Sequence, residues 1–246
     1  MNAKPIRISK FLSQQGICSR REAEFFIQQG WIKVNGETVV EFFTTVDDNS
    51  SIELHPKAKA YQNRLITVLL HKPIGYVSGQ PEKQYRPAAS LITQGNQQRN
   101  NDGSPEKKAV WPIKGLAPAG RLDIDSTGLL ILTQDGRIAK RLIAPDSDVE
   151  KEYLVRVTQD VQSNQLSRLT VGLSLDNVKL APAKVDLLDS NYFRMTLTEG
   201  RKRQIRRMCE LVGLDVTGLK RVRIGNVRLG SLPVGKWRLL RLNESF

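Results

Sequence analysis

The chain has few of the residues on which several common catalytic sites are built. Its 246 residues include two cysteines, Cys18 and Cys209, and two histidines, His55 and His71. The cysteines are far apart and in no metal-ligand spacing, so we expect both to be packing residues in a reducing cytosol. With so few histidines, a histidine-based triad or a multi-histidine metal site is nearly excluded.

Long apolar runs are also missing. No stretch approaches the about 20 apolar residues that span a bilayer, and none follows the polar N-terminus. Hydrophobic residues make up 39% of the chain, which is enough for a packed core. We therefore expect a soluble cytoplasmic protein, a monomer without a membrane partner.

Acidic residues are also few relative to basic ones. Lys and Arg outnumber Asp and Glu by 38 to 25, which gives a net charge of +13. The excess is concentrated in residues 194–241, where 13 basic side chains face 3 acidic ones. A surface that only aids solubility would mix the two signs. The asymmetry favours a polyanionic partner, and nucleic acid above all.

Residues 6–60 have the pattern of a small helix-helix-hairpin module. A capping box at 19–22 begins a helix that Gly30 ends, and Asn35-Gly36 is a strong hairpin signal. Arg20 and Arg21 oppose the dipole of that helix unless a phosphate bridges them to its N-terminus; simple solvation is the alternative. The pattern resembles the S4 RNA-binding domain.

The rest of the chain indicates an α+β domain over residues 65–242. Residues 55–62 are polar and alanine-rich, which predicts a linker, and residues 94–108 predict a long flexible loop. Strands outnumber helices. We expect helices at 136–143 and 204–212. This pattern favours a mixed, mainly antiparallel sheet with flanking helices.

The most informative segment is residues 120–130, where two aspartates alternate with apolar residues. In an extended segment Leu122 and Ile124 would face a core, while Asp123 and Asp125 would project the other way. A carboxylate held beside a cleft can act as an acid, a base or a nucleophile.

Four segments, taken in order, carry a family resemblance. They are 72–78 (KPIGYVS), 120–123 (GRLD), 150–155 (EKEYLV) and 203–208 (RQIRRM). Together they resemble the RsuA-type ribosomal RNA pseudouridine synthases, in which an S4 module in front is usual. The last segment is most similar to the RluF-like large-subunit branch. The resemblance implies isomerisation of one uridine in ribosomal RNA without a metal or cofactor. The last segment favours the 23S molecule, whereas Ile124 and Asp125 are also found in the small-subunit branch. Both ribosomal subunits, and a transfer RNA as a second substrate, therefore stay open.

The resemblance also implies roles for individual residues. Asp123 would be the catalytic carboxylate, and Tyr153 would stack on the target uracil. Because burial raises the pKa of a carboxyl, we expect Arg206 to pair with Asp123 and keep it ionised. Arg121 would help to extrude the nucleotide, and Asp125 would be structural. The remaining basic residues of the RNA-binding surface, beside Arg20 and Arg21, are Arg194, Arg201, Lys202, Arg203, Arg207, Lys220, Arg221 and Arg223.

Two other classes of function fit parts of the sequence. One is a non-catalytic, ribosome-associated RNA-binding protein of the S4 type. The other is a nuclease in which Asp123 and Asp125 hold magnesium, although such sites need more clustered carboxylates than this chain shows.

Overall fold

The computed structural model describes residues 5–80, 84–99 and 107–246, which form two domains with separate hydrophobic cores. Most of the predicted loop 94–108 is either a short 3-10 helix, Gln94–Asn96, or lies outside the described residues. None of the helices in the described ranges has the length and apolar character needed to cross a bilayer.

The N-terminal domain is a small α+β unit. Its elements are β1 Ile6–Arg7, α1 Ile8–Gln14, α2 Arg20–Gln28, β2 Ile32–Val34, β3 Glu37–Thr38, β4 Thr45–Val46, β5 Ile52–Leu54 and α3 Pro56–Arg64. The predicted capping box is present: Ser19 Oγ accepts from Glu22 N at 3.1 Å, and the Glu22 carboxylate accepts from Ser19 N at 2.8 Å. The predicted hairpin is also present, because β2 pairs with β3.

The predicted linker at 55–62 is wrong, because His55 caps helix α3 and residues 56–62 belong to that helix. Pro56 stands at the first helical position, and the Lys, Ala and Gln residues that follow favour helix. Ala58 is fully buried in the core of the N-terminal domain, and Tyr61 packs on Phe25 and Phe26. The segment between the domains is therefore packed on the N-terminal domain.

The C-terminal domain is built on one large sheet. Its elements are β6 Thr67–Lys72, β7 Tyr76–Val77, β8 Arg86–Pro87, β9 Ala117–Pro118, β10 Thr127–Thr133, α4 Gly136–Ile143, β11 Lys151–Val157, α5 Ser163–Thr170, β12 Ser174–Leu175, β13 Val178–Lys179, β14 Lys184–Asp189, β15 Tyr192–Leu197, α6 Gln204–Leu211, β16 Val216–Ile224, β17 Val227–Arg228 and β18 Trp237–Leu239. The main strand order is β14-β15-β11-β16-β10-β6-β18. Within this order only β10 and β16 are parallel, which confirms a mixed, mainly antiparallel sheet.

The helices cover the two faces of the sheet with separate apolar clusters. Helices α4 and α6 match the predictions at 136–143 and 204–212. Helix α5 was not predicted, because its many Ser, Asn and Gln residues leave only a weak apolar pattern. Cys18 and Cys209 are buried in the cores, which confirms their packing role. Burial raises the pKa of each thiol to about 12.

Candidate active site

The aspartate segment is a turn that leads into β10, not an extended strand. Asp123 O accepts from Ser126 N at 3.1 Å, and Gly120 has a φ of 94°. Leu122 is buried as expected, at 7% exposure, but Ile124 is only half-buried. The strict alternation of buried and exposed side chains expected for this segment is therefore wrong. The backbone turns over residues 123–126, which include both aspartates, before β10 begins.

The backbone on both sides of Asp123 is tied to the segment that follows β6. Ser78 Oγ donates to Leu122 O at 2.7 Å and accepts from Leu122 N at 2.9 Å. On the other side, Gly75 N donates to Ile124 O at 2.8 Å. Because one of these contacts precedes Asp123 and the other follows it, residues 72–78 fix the position from which its carboxylate projects.

Lys72 supports that segment from inside the sheet. Its side chain is fully buried, and Nζ donates to Pro73 O and Tyr76 O, each at 2.9 Å. Burial lowers the pKa of Lys72 to about 8, although the charges of Asp123 and Asp125 act to raise it. The motif containing Lys72 is visible in the sequence, but the role of this residue was not predicted; the signal was a lysine at the end of a strand whose centre, 68–70, is apolar.

Lys72 belongs to a row of residues that crosses four strands at one level. Gly128 of β10 pairs with Lys72 on one side and with Arg221 on the other, and Tyr153 of β11 pairs with Arg221. Paired residues in neighbouring strands share a face of the sheet, so the two cations and the tyrosine lie on the same side. Gly128 has a φ of 111°, and a Cβ there would collide with the backbone of Arg221.

Arg221 lies beneath the candidate site and not on its surface. It is 4% exposed; Nε donates to Leu129 O at 2.8 Å, and Nη1 approaches Tyr153 Oη at 3.5 Å. Its guanidinium carbon lies 5.9 Å from the centre of the Tyr153 ring. Nη2 is buried and has no hydrogen-bond partner within the described part of the chain. Our prediction that Arg221 binds RNA phosphates is therefore wrong, because the row places its side chain inside the domain.

Arg206 pairs with Asp125, so the predicted ion pair with Asp123 is wrong. Arg206 Nε lies 3.3 Å from Asp125 Oδ2 without hydrogen-bond alignment, and Nη2 donates to Asp125 O at 2.9 Å. Arg203 Nη2 donates to the same Oδ2 at 3.0 Å. The turn that follows Asp123 brings Asp125, and not Asp123, to the start of α6. Burial alone would raise the pKa of Asp125, but Arg203 and Arg206 together lower it.

Replacing Asp125 with asparagine tests whether this pairing matters for turnover. The pair is partly open to solvent, with Asp125 39% exposed and Arg203 42% exposed, so its contribution is small. We expect Asp125→Asn to reduce the single-turnover rate of pseudouridine formation by about fivefold. The reduction is small because Arg206 keeps its hydrogen bonds to the main-chain oxygens of Val216 and Asp125. A loss of more than a hundredfold would contradict this secondary role.

Tyr153 and Arg121, the two residues predicted to handle the target nucleotide, both lie beside Arg221. Tyr153 is half-buried and contacts two of the hydrophobic clusters of the C-terminal domain. The side chain of Arg121 is exposed, and its carbonyl oxygen accepts from Arg221 Nη1 at 3.3 Å. Both residues are adjacent to Arg221, which brings the segments 120–123 and 150–155 together with β16.

A second member of the predicted RNA-binding surface is engaged inside the protein. Arg223 donates to Glu152 and Glu150, each at 3.0 Å, and its side chain is 15% exposed. Its predicted role in phosphate binding is therefore wrong, because two carboxylates already satisfy it. Arg194 approaches the same Glu152 at 3.5 Å.

The other basic residues of the predicted surface remain at least partly accessible. Lys202, Arg201 and Arg203 are exposed before α6, whereas Arg207 and Lys220 are half-buried. Arg207 pairs with Asp176 at 2.6 Å and Arg201 with Glu199 at 3.6 Å. These pairs are carried by surface side chains that an RNA phosphate could displace.

Arg20 and Arg21 are exposed on the N-terminal domain, but the helix end beside them is closed. Ser19 and Glu22 satisfy each other there, and the start of α4 packs against Ser19. The predicted phosphate bridge to this helix end is therefore wrong. Arg20 instead lines a surface groove of about 340 Å³ with Arg7 and Lys10.

Comparisons with known proteins identify the family of this chain. The family model described as RNA pseudouridylate synthase matches residues 66–211, and the S4 domain model matches residues 6–39. The chain is 35% identical over 244 residues to the dual-specificity RNA pseudouridine synthase RluF of Escherichia coli K12, covering 97% of this chain and 77% of that protein. It is 33% identical to ribosomal large subunit pseudouridine synthase B of Bacillus subtilis 168, covering 97% and 93%.

A solved structure is also similar to this chain over nearly its whole length. The crystal structure of a pseudouridylate synthase superposes with a TM-score of 0.64 at 29% identity, covering 96% of each chain. The matched residues of the synthase model include the aspartate turn, α6 and three members of the row across the sheet, Lys72, Gly128 and Tyr153, whereas Arg221 lies beyond the match. The chain belongs to the RNA pseudouridine synthase family, and it carries an S4 domain ahead of its synthase domain.

Proposed function

We propose that this enzyme isomerises a specific uridine of large-subunit ribosomal RNA and that Asp123 is its catalytic carboxylate. The observation that carries the assignment is the double anchoring of the Asp123 turn by Ser78 and Gly75, above a row that holds Lys72 and Arg221. A carboxylate held rigidly beside fixed positive charge is suited to a reaction that develops charge at a sugar carbon.

The reaction detaches uracil from ribose C1′ and reattaches it through C5, so the same atoms appear in substrate and product. Asp123 would either attack C1′ or remove a ribose proton; both steps require its ionised form. Lys72 supplies positive charge that interacts with this carboxylate, and Arg221 lies on the same side of the sheet, bonded to the main chain of Arg121. Such fixed charges need no reorganisation during the reaction.

Tyr153 and Arg121 would handle the base. The uracil must leave the RNA stack to reach a carboxylate held by a turn, which costs a few kcal/mol. Arg121 is exposed next to Asp123 and can occupy the vacated place in the stack. The Tyr153 ring, held beside Arg221, offers a surface on which the extruded uracil can stack.

The proposed RNA target rests on the relatives. Two of them are named for large-subunit or dual-specificity modification, and the N-terminal domain matches an RNA-binding model. A transfer RNA as a second substrate, a cytoplasmic location and a monomeric state belong to the same proposal. Across the described ranges, no three or more His, Cys, Asp or Glu residues form a group suited to a metal.

Mapping pseudouridines in cells that lack this protein tests the proposed target. We expect one modified site in large-subunit ribosomal RNA to be lost, and expression of the wild-type chain to restore it. Loss confined to small-subunit RNA would refute the large-subunit assignment. An unchanged map of all ribosomal and transfer RNA would refute the proposed substrate class.

A further inference from the structure

The two domains contact each other through the first turn and a half of α4. Lys140 Nζ donates to Ser13 O at 2.6 Å and to Gln14 O at 2.8 Å, which are carbonyl oxygens at the C-terminal end of α1. Ser13 O also accepts from Gly16 N at 3.2 Å, just past the helix, and a positive charge beside the last carbonyl oxygens of a helix is favourable. The synthase domain thus supplies the cap for a helix of the S4 domain.

Arg137 makes the second contact and is itself rigidly held. Asp135, which caps α4, accepts from Arg137 Nε at 2.9 Å and from Nη2 at 2.6 Å. The remaining Nη1 donates to Gln62 Oε1 of α3 at 3.2 Å, and Gln62 Nε2 donates to Ile17 O at 2.9 Å. Gln62 is 4% exposed and the Arg137 side chain is 36% exposed, so the Gln62 end of this chain of hydrogen bonds is shielded from water and the Arg137 end is partly open.

Gly136 lets the two domains approach this closely. A Cβ at this position would overlap the Cβ of Ser19 and would come within 2.9 Å of its Oγ. The backbone of α4 therefore lies directly against the start of α2. We call Gly136, Arg137 and Lys140 together the interdomain latch.

Strand β10 connects the interdomain latch to the candidate active site. Strand β10 begins just after the Asp123 turn and ends at Thr133, and Thr133 Oγ1 accepts from Asp135 N at 3.0 Å. Gln134, between them, exchanges hydrogen bonds with Ile66 at 2.9 and 3.0 Å. A strand rises about 3.3 Å per residue, so the seven residues of β10 separate the two sites by about 20 Å.

We infer that Arg137 and Lys140 are positioning residues that determine RNA specificity, because they hold the S4 domain at one fixed separation from Asp123. The enzyme then favours RNAs in which the element bound by the S4 domain and the target uridine are separated to match. This inference rests on the proposed function. It goes beyond it, because a mobile S4 domain would serve the same reaction without that selection.

Three variants separate the interdomain latch from a general loss of positive charge. The double variant Arg137→Ala, Lys140→Ala removes the polar contacts. Gly136→Ala adds one methyl group, which would stabilise an isolated helix but here must push the domains apart. Arg141→Ala is the matched control: it removes a cation from an exposed position of the same helix, outside the latch.

Small-angle X-ray scattering of the full chain tests the geometry without RNA. We expect the wild type and Arg141→Ala to fit one domain arrangement, and the double variant and Gly136→Ala to show a larger radius of gyration. A wild-type profile that requires several domain orientations would overturn the inference. So would unchanged profiles for both latch variants.

Kinetics with two RNA probes test the consequence for specificity. One probe is an unmodified large-subunit ribosomal RNA transcript, and the other is a short stem-loop that holds only the mapped target uridine. We expect the double variant to lose about tenfold in kcat/KM on the long transcript and less than twofold on the stem-loop. Equal losses on both probes would overturn the inference. If the wild type modifies neither probe, the proposed function fails, and scattering still decides whether the latch exists.

Discussion

We expect Asp123→Asn to abolish pseudouridine formation and to leave RNA affinity within about threefold of wild type. The substitution removes one negative charge and leaves the side-chain volume almost unchanged. The backbone that positions residue 123 is held by Ser78 and Gly75, neither of which contacts the carboxylate. The fall in single-turnover rate should therefore be at least about a thousandfold, the scale expected when a reacting carboxylate is lost.

Two controls make this result interpretable. The thermal unfolding midpoint of Asp123→Asn should match that of the wild type, because the carboxylate forms no ion pair within 4.0 Å among the described residues. RNA affinity, measured at one stated salt concentration, reports on the phosphate contacts alone. Residual turnover above one hundredth of the wild-type rate would show that another group does the chemistry.

Lys72→Met is the second substitution with a large expected effect. It removes the donor that binds Pro73 O and Tyr76 O, and with it the buried charge beneath the aspartate turn. Because residues 73–78 hold both sides of Asp123, a small shift of this segment displaces the carboxylate. Displacements of about 1 Å cost on the order of a hundredfold in rate, and we expect a loss of that size. Lys72→Met at wild-type rate would contradict the positioning role.

Lys72→Gln separates the charge from the hydrogen bonds. Glutamine is neutral at every pH but keeps a donor for one of the two carbonyl oxygens. We expect this variant to retain more stability than Lys72→Met but to remain at least about tenfold slower than wild type, because fixed charge near the site is lost. A wild-type rate for Lys72→Gln would mean that only the hydrogen bonds matter.

The pH dependence of the wild type follows from the same lysine. Burial lowers the pKa of Lys72 from 10.5 to about 8 in the folded protein, so the folded state loses this proton first as pH rises. Between pH 8 and 10.5 the unfolded state binds more protons, and the contribution of Lys72 to the free energy of unfolding rises with pH there. Activity should change in the opposite direction, falling above about pH 8, and Lys72→Gln should lack that decline.

The segment most informative in sequence was also the one whose conformation was predicted least well. The alternation of Leu122 and Ile124 with aspartates favours a strand, yet the chain turns there. The bonds that hold the turn come from Ser78 and Gly75, more than 40 residues earlier in the chain. Local periodicity carries no information about such partners, so the turn could not be derived from it.

The charged residues show the same limit. Net charge correctly indicated a polyanionic partner, and a count along residues 194–241 located most of the excess. It could not show that Arg221 and Arg223 face inward, because that depends on the register of β16 against β10 and β11. Likewise, Arg206 was assigned to Asp123 by resemblance, whereas the turn presents Asp125 to α6.

Domain organisation was predicted more fully than the contact between domains. The capping box at Ser19 and the hairpin at Asn35 are local signals, and both are present. The polar composition of residues 55–62 concealed α3, because helix propensity and a Pro at the first position were outweighed by low hydrophobicity. The interdomain latch leaves no local pattern at all, since its partners are distant in sequence.

A side-by-side rate measurement of Asp123→Asn and Asp125→Asn tests the central claim most directly. Both variants lose one carboxylate from the same turn, and only Asp125 is engaged by Arg203 and Arg206. On one unmodified large-subunit RNA transcript, Asp123→Asn should form no pseudouridine in a single turnover, whereas Asp125→Asn should keep about a fifth of the wild-type rate. Turnover by Asp123→Asn together with an inactive Asp125→Asn would contradict the account.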